Sequence, residues 1–308
     1  MSGAPLVNFV IPLYNAADML PRSVRSALRQ RGVDVRVLVV DHGSTDGSDR
    51  IAAELAEDPR VEVITLVRRP DDRRTPARPL NVGLAHAART SEPPDRSWTF
   101  RLDADDFLAD DDVAAEQLAL GGYRKLVTAT ALFFNEEERY AYVYGPAPHD
   151  RTLERYRKRG AYSAAHPSNA VRTDLLREVL TRRASLMDQD LDFGEDLDQT
   201  CLLLSAVGPG EFAVVDRPYC FKAIGSHTAT AAASTRHLWT SHMRLHRRNP
   251  DLSRFTLLRG FAELVLGDLV GEQRARRVLQ RFAGRNGDFR ECDYGLATKR
   301  LAELAAPV

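Results

Sequence analysis

The N-terminal third of the chain alternates short apolar runs with segments of helical spacing, and few folds accommodate that alternation. Leu6 to Ile11 is apolar and stops at Pro12, which predicts a buried strand. From Asp18 to Gln30, Leu20, Val24, Ala27 and Leu28 recur at helical spacing, and Pro21 suits a first helical turn. Val33 to Val40 then predicts strand, Asp49 to Glu57 helix, Val61 to Val67 strand, Leu80 to Ala88 helix and Trp98 to Leu102 strand. Repeated units of this kind specify an α/β fold, a Rossmann-like and mostly parallel sheet flanked by helices.

Beyond Asp106 the pattern loosens. Asp112 to Leu120 predicts helix, and Lys125 to Phe134 with Arg139 to Tyr144 predicts a strand hairpin. The basic segment Thr152 to Gly160 predicts helix, as do Thr173 to Arg183 and Leu197 to Ser205. Two late strands follow, Glu211 to Val215 and Tyr219 to Ala223. From Ser234 onward the chain reads as a packed helical extension, broken near Asn249-Pro250 and around Gly284 to Gly287. The length of 308 residues suits one large domain with such an appendage.

Composition narrows the partners. Acidic and basic residues balance at 43 each, so no global charge favours nucleic acid. The three cysteines, Cys201, Cys220 and Cys292, lie far apart with no pair at zinc-ligand spacing, and their odd count does not suggest a disulfide scaffold. No apolar run reaches the ~18 residues of a membrane span, and no secretory signal is visible, so a cytoplasmic protein is expected. Arg-rich stretches such as Arg151 to Arg159 read first as a solvated helix face, and otherwise as a contact for an anionic acceptor or a membrane surface.

In open α/β sheets, ligands bind beyond the carboxyl ends of the strands. Three such ends are chemically distinctive: Pro12-Leu13-Tyr14-Asn15, Asp41-His42-Gly43-Ser44-Thr45-Asp46-Gly47-Ser48 and Asp103-Ala104-Asp105-Asp106. Three carboxylates in four residues repel one another unless solvated or neutralised by a cation. Hard oxygen ligands suit Mg2+ or Mn2+, while a helix N-terminus also favours Asp. The Asp41 loop of small residues permits close approach to a ligand, or serves as an ordinary strand-to-helix connection. Glu195-Asp196 offers a general base or a helix cap. Lys222 with Gly225-Ser226-His227-Thr228 offers a cation for a diphosphate and a His for a metal, or a polar turn.

Taken together and in order, these elements resemble glycosyltransferase family 2, whose fold is GT-A. The resemblance spans about Val7 to Thr228. Val7 to Asn15 is similar to the family's opening strand, and Val39 to Ser48 to its nucleotide-binding segment. Arg78-Pro79-Leu80-Asn81-Val82-Gly83 is similar to its Arg-Asn-x-Gly helix start, with two extra residues. Arg101-Leu102-Asp103-Ala104-Asp105-Asp106 resembles its Asp-x-Asp, and Glu195-Asp196 its Glu-Asp pair.

The resemblance implies a catalytic domain over 1–230, with a nucleotide-sugar-binding half at 1–110 and an acceptor-binding half at 111–230, before the 231–308 extension. It implies a nucleotide-sugar donor, commonly UDP-linked, Mn2+ or Mg2+, and inversion by single displacement onto an acceptor hydroxyl. Pro12, Tyr14, Asn15, Asp41, His42, Ser44, Arg78, Asn81, Arg101, Asp103 and Lys222 would meet the nucleotide-sugar. Asp105 and Asp103 would hold the metal with His227, and Asp196 would be the base with Glu195 beside it. The family's second Asp of Asp-Asp-Gly-Ser is His42 here, which leaves uridine, thymidine and guanosine donors open. The acceptor, carbohydrate-like or another small molecule, would meet aromatic residues such as Phe133, Phe134, Tyr140, Tyr142, Tyr144 and Tyr162. A sugar-nucleotide nucleotidyltransferase and a non-catalytic nucleotide-sugar-binding protein are the alternatives.

Overall fold

The structure is a computed structural model that describes residues 3–73, 75–135, 139–144, 168–191, 194–223, 235–250 and 289–305. Four strands, β1 (Leu6–Leu13), β2 (Asp34–Asp41), β3 (Val61–Thr65) and β4 (Ser97–Arg101), lie parallel in the order β3-β2-β1-β4. Helices α1 (Leu20–Leu28), α2 (Ser48–Leu55) and α3 (Ala77–Thr90) make the crossovers. The expected strands and helices of this half are all present, with ends shifted by at most three residues.

Side-chain alternation on the central strands divides the core into two layers. Phe9, Ile11, Val37 and Val39 pack with Leu20, Val24 and Ala27 of α1, Ala52 of α2 and Leu118 of α4 (Val113–Leu120). Val10, Leu38 and Val40 face the other way, against Leu80 and Leu84 of α3. They share that layer with Leu175 and Val179 of α5 (Thr173–Arg182) and Leu203 of α6 (Glu195–Ala206).

Two local features keep the sheet intact near the site. Pro12 lies in a central strand but lacks an N–H. Val10, two residues earlier and facing the same neighbour, gives its carbonyl to the Leu102 N–H at 3.1 Å. Beyond that bond the β4 chain has left the ladder, so no partner awaits a donor at Pro12. Gly83 lets α3 approach β1: a Cβ there would lie 2.4 Å from Val10 Cγ1 and 3.0 Å from Val40 Cγ2. Alanine would gain about 1 kcal/mol of helix propensity, yet the overpacking costs about 1–3 kcal/mol. Gly83→Ala is therefore expected to lower stability, read as a lower urea midpoint at unchanged slope.

Among the described residues, the second half completes a ten-stranded sheet. β8 (Asn169–Arg172) pairs antiparallel with both β4 and β6 (Leu126–Asn135), and β6 forms the expected hairpin with β7 (Tyr140–Tyr144). β5 (Phe107–Leu108) joins β9 (Phe212–Ala223). The two late strands expected from sequence are one strand, β9, parallel to β6, with register shifts around the Thr130–Pro218 pair. A bulge thus accommodates Pro218 where a break was expected.

The tail is not wholly helical. α7 (Thr235–Arg248) and α8 (Gly295–Ala305) are helices, but β10 (Phe289–Cys292) adds an antiparallel edge strand to β7. α8 returns to the first half of the chain. Buried Arg300 reaches the Leu108 carbonyl at 3.2 Å and Asp111 at 2.6 Å, and Arg29 at the end of α1 pairs with the same Asp111 at 3.0 Å. The expected helix at Thr152 to Gly160 lies outside the described residues, as does most of the tail between α7 and β10.

Candidate active site

The loops after β1, β2 and β4 meet at the carboxyl edge of the sheet because the strands are parallel and in register. The first two loops are stitched together. Ser44 Oγ accepts the Asn15 N–H at 3.0 Å, and Asn15 Oδ1 accepts the Thr45 N–H at 2.8 Å. Ser48 Oγ accepts the Ala16 N–H at 2.9 Å, and Asp46 accepts from Ala17 at 3.1 Å. Buried Asp41 receives both the N–H and the hydroxyl of Ser44 on one oxygen, at 3.1 and 2.6 Å. Asn15 takes a positive φ of 49° to turn the chain, a conformation Asn tolerates well. Asn15 and Ser44 thus serve the loop scaffold, while Tyr14 stands 46% exposed at its rim.

His42 has a partner that sequence reading missed. Its Nε2 lies 2.9 Å from the Asp72 carboxylate, and Arg78 reaches the same carboxylate at 2.5 Å. Arg78 also donates to the Val67 carbonyl at 2.9 Å. Arg78 Nη1 also lies 3.1 Å from the same Nε2, so this ring nitrogen faces both a carboxylate and a guanidinium. Burial lowers the His42 pKa, against the pull of Asp72. Asp72, from the segment after β3, thus sets a carboxylate against His42. Arg68 stacks over the Tyr14 ring at 4.1 Å beside it.

The acidic cluster is anchored by α1. Ser23 Oγ donates to the Asp103 carbonyl at 3.1 Å, and Arg22 donates to the Asp105 carbonyl at 2.7 Å. One oxygen each from Asp103, Asp105 and Asp106 can be chosen so that all lie within 4.8 Å of one another. That set of hard oxygens fits a divalent ion of the Mg2+ or Mn2+ kind. Lys222, on β9, stands among them with Nζ 2.6 Å from Asp106 and 3.3 Å from Asp103. Burial opposes the Lys222 charge, but Asp106 and Asp103 outweigh it and raise its pKa. Burial raises Asp106 against the pull of Lys222, and burial together with Asp103 raises Asp105.

Arg101 ties this cluster to the acid pair. Its buried guanidinium donates to Asp103 at 2.8 Å and reaches Glu195 at 3.4 Å, across 94 residues of sequence. Glu195 and Asp196 occupy the first turn of α6, behind Gly194 at φ 84°. Burial, followed by the charge of Asp196, pushes Glu195 up to about 7 against the pull of Arg101. Two residues on, fully buried Asp198 binds Arg183 at 2.9 Å, Arg248 at 3.1 Å and Asn249 at 2.8 Å, which fixes the start of the helix.

Several expected site residues stand elsewhere. Both ends of the Asn81 amide are bonded to the Met187 backbone, at 2.8 and 2.9 Å, so this side chain clamps α3 to the segment before α6. Phe134 is fully buried in a core with Phe107 and Phe221, away from any acceptor role. Phe133 and Tyr142 stack at 5.3 Å and are half-buried. His227, Tyr162 and the side chains of Tyr140 and Tyr144 lie outside the described residues. Asp72 carried a signal in the sequence only as one charge in a polar loop, and the distance of Lys222 from the cluster hid their pairing.

The chain is similar to known proteins in sequence and in fold. The chain is 40% identical over 107 residues to the succinoglycan biosynthesis protein ExoO of Rhizobium meliloti (strain 1021), covering 35% of this chain and 27% of that one. It is 34% identical over 131 residues to chondroitin synthase of Escherichia coli, covering 42% and 17%. It therefore matches less than a third of the length of either relative. Among solved structures, S. aureus TarS 1-349 in complex with UDP-GlcNAc superposes with a TM-score of 0.59 at 18% identity, covering 84% of this chain and 71% of that one. Residues 8–180, from the opening strand through the acidic cluster to α5, match Glycosyl transferase family 2, and the chain belongs to that family of glycosyltransferases.

Proposed function

We propose that the chain transfers a sugar from a nucleoside-diphosphate sugar, UDP-linked in the first instance, to an acceptor hydroxyl, with inversion and with the help of a divalent ion. The observation that supports this best is Arg101, which pairs with both Asp103 and Glu195 and so links the acidic cluster to the acid pair. TarS, of the same fold, binds UDP-GlcNAc, which favours a uridine donor.

Asp105 and Asp103 would hold the ion. Bound there, it would supply positive charge for the departing diphosphate. Asp41, Tyr14 and the Asp72-braced His42 would receive the nucleoside, and Arg78 would brace that corner. Asp196 would accept the proton of the acceptor hydroxyl as it attacks the anomeric carbon, and Glu195 would set how strongly it does so. Arg101, bonded to both, holds Asp103 and Glu195 in relation to one another.

The test is thermal-shift screening of UDP, GDP and TDP, each with Mn2+ and with EDTA. A ligand at a hundredfold excess over its Kd stabilises by about 2.7 kcal/mol. One diphosphate with Mn2+ is expected to raise Tm by several degrees, and EDTA is expected to remove most of that rise. No shift with any of the three would overturn the donor reading. Pyrophosphate release from a nucleoside triphosphate would point to nucleotidyl transfer instead.

A further inference from the structure

A lysine stands inside the acidic cluster, and its position restricts what else can bind there. β9 places Lys222 opposite Phe133 of β6, one residue after the Phe221–Phe107 pair with β5. The side chain is thus delivered to the strand end that follows β4. Its ammonium touches Asp106, which is 1% exposed, and Asp103, which is also held by Arg101. Of the three clustered carboxylates, Asp103 and Asp106 are ion-paired to described residues and Asp105 is not.

An ammonium and a divalent ion compete for the same oxygens. A cation entering the cluster would meet a resident positive charge a few ångströms away, in a site too buried for water to screen it fully. Lys222 cannot simply leave, because a buried ammonium needs an anionic partner. We propose that Lys222 is a resident counter-cation that keeps Asp106 and part of Asp103 out of a metal's ligand set, and so holds down the divalent-ion affinity of the nucleotide-free protein. This rests on the reading of the cluster as a metal site. It adds that the affinity is set by a residue outside the Asp-x-Asp segment.

The experiment is titration of the full chain with Mn2+ alone, followed by the loss of the free-ion EPR signal. Lys222→Met and Lys222→Gln are compared with the parent protein, and melting in EDTA confirms that each variant is folded. Lys222→Gln retains an N–H donor for Asp106, so it serves where Met does not fold. Removing one charge at this separation is expected to tighten Mn2+ binding by about tenfold or more. The double variant Asp105→Asn with Lys222→Gln is expected to lose that gain. Unchanged or weaker Mn2+ binding in both single variants overturns the role of Lys222. A gain that survives loss of Asp105 means that the ion sits elsewhere, which overturns the reading of the cluster and not only the inference about Lys222.

Discussion

Asp105→Ala is expected to lower the rate of nucleoside diphosphate release by about 10²–10³-fold, the range found when one preorganised group that stabilises developing charge is removed. The protein should stay folded. Asp105 makes no ion pair with a described residue, and burial together with Asp103 raises its pKa, so its charge is held there at a cost. Asp106 differs. It is the 2.6 Å partner of Lys222, and truncating it would leave a buried ammonium with only the longer contact to Asp103. Breaking a buried pair from one side costs about 3–5 kcal/mol, so Asp106→Ala would confuse folding with chemistry. Asp105→Ala separates them. The measurement is product release at saturating donor and Mn2+, beside a melting curve in EDTA. Near-parental turnover with unchanged melting would remove Asp105 from the ion site.

The contrast between Asp105 and Asp106 shows what the sequence could and could not reveal. Periodicity exposed β1, β2, β4 and the first three helices, because each is long, regularly patterned and bounded by Pro, Gly or a polar run. Parallel order then placed their carboxyl ends together, which is why the Asp41 loop and the acidic cluster could be read as one site. β8 and β10 were missed because four residues give too short a pattern, and their pairing is decided by neighbours distant in the chain. The same reason hid Asp72 and the Lys222–Asp106 pair: each is a long-range contact between groups that look ordinary in their own segments. Asn81 illustrates the reverse. Its motif was legible, yet its amide is committed to the Met187 backbone, a partner that no local pattern announces.

Asp196→Asn is expected to reduce kcat by about 10²–10⁴-fold, the contribution of a positioned general base, and to leave nucleoside diphosphate binding unchanged. Asparagine preserves the contact in which the Leu197 N–H donates to the side-chain oxygen at 2.8 Å, so the first turn of α6 should hold. Glu195 gives this prediction a pH signature. Its carboxyl titrates near 7, raised by burial and by the Asp196 charge. Below that pH Glu195 is neutral, and above it a second negative charge lies beside Asp196. A neighbouring like charge strengthens a base. The rate should therefore climb as pH rises through about 7. Glu195→Gln fixes the neutral state, so that step should flatten and turnover above pH 7 should fall towards the low-pH level. Arg101 would then keep Asp103 as its remaining anionic partner in the pair of contacts, so the cluster should still bind nucleotide. A step that persists unchanged in Glu195→Gln would assign the titration to another group, whereas an Asp196→Asn variant retaining more than about a tenth of kcat would move the base role away from α6.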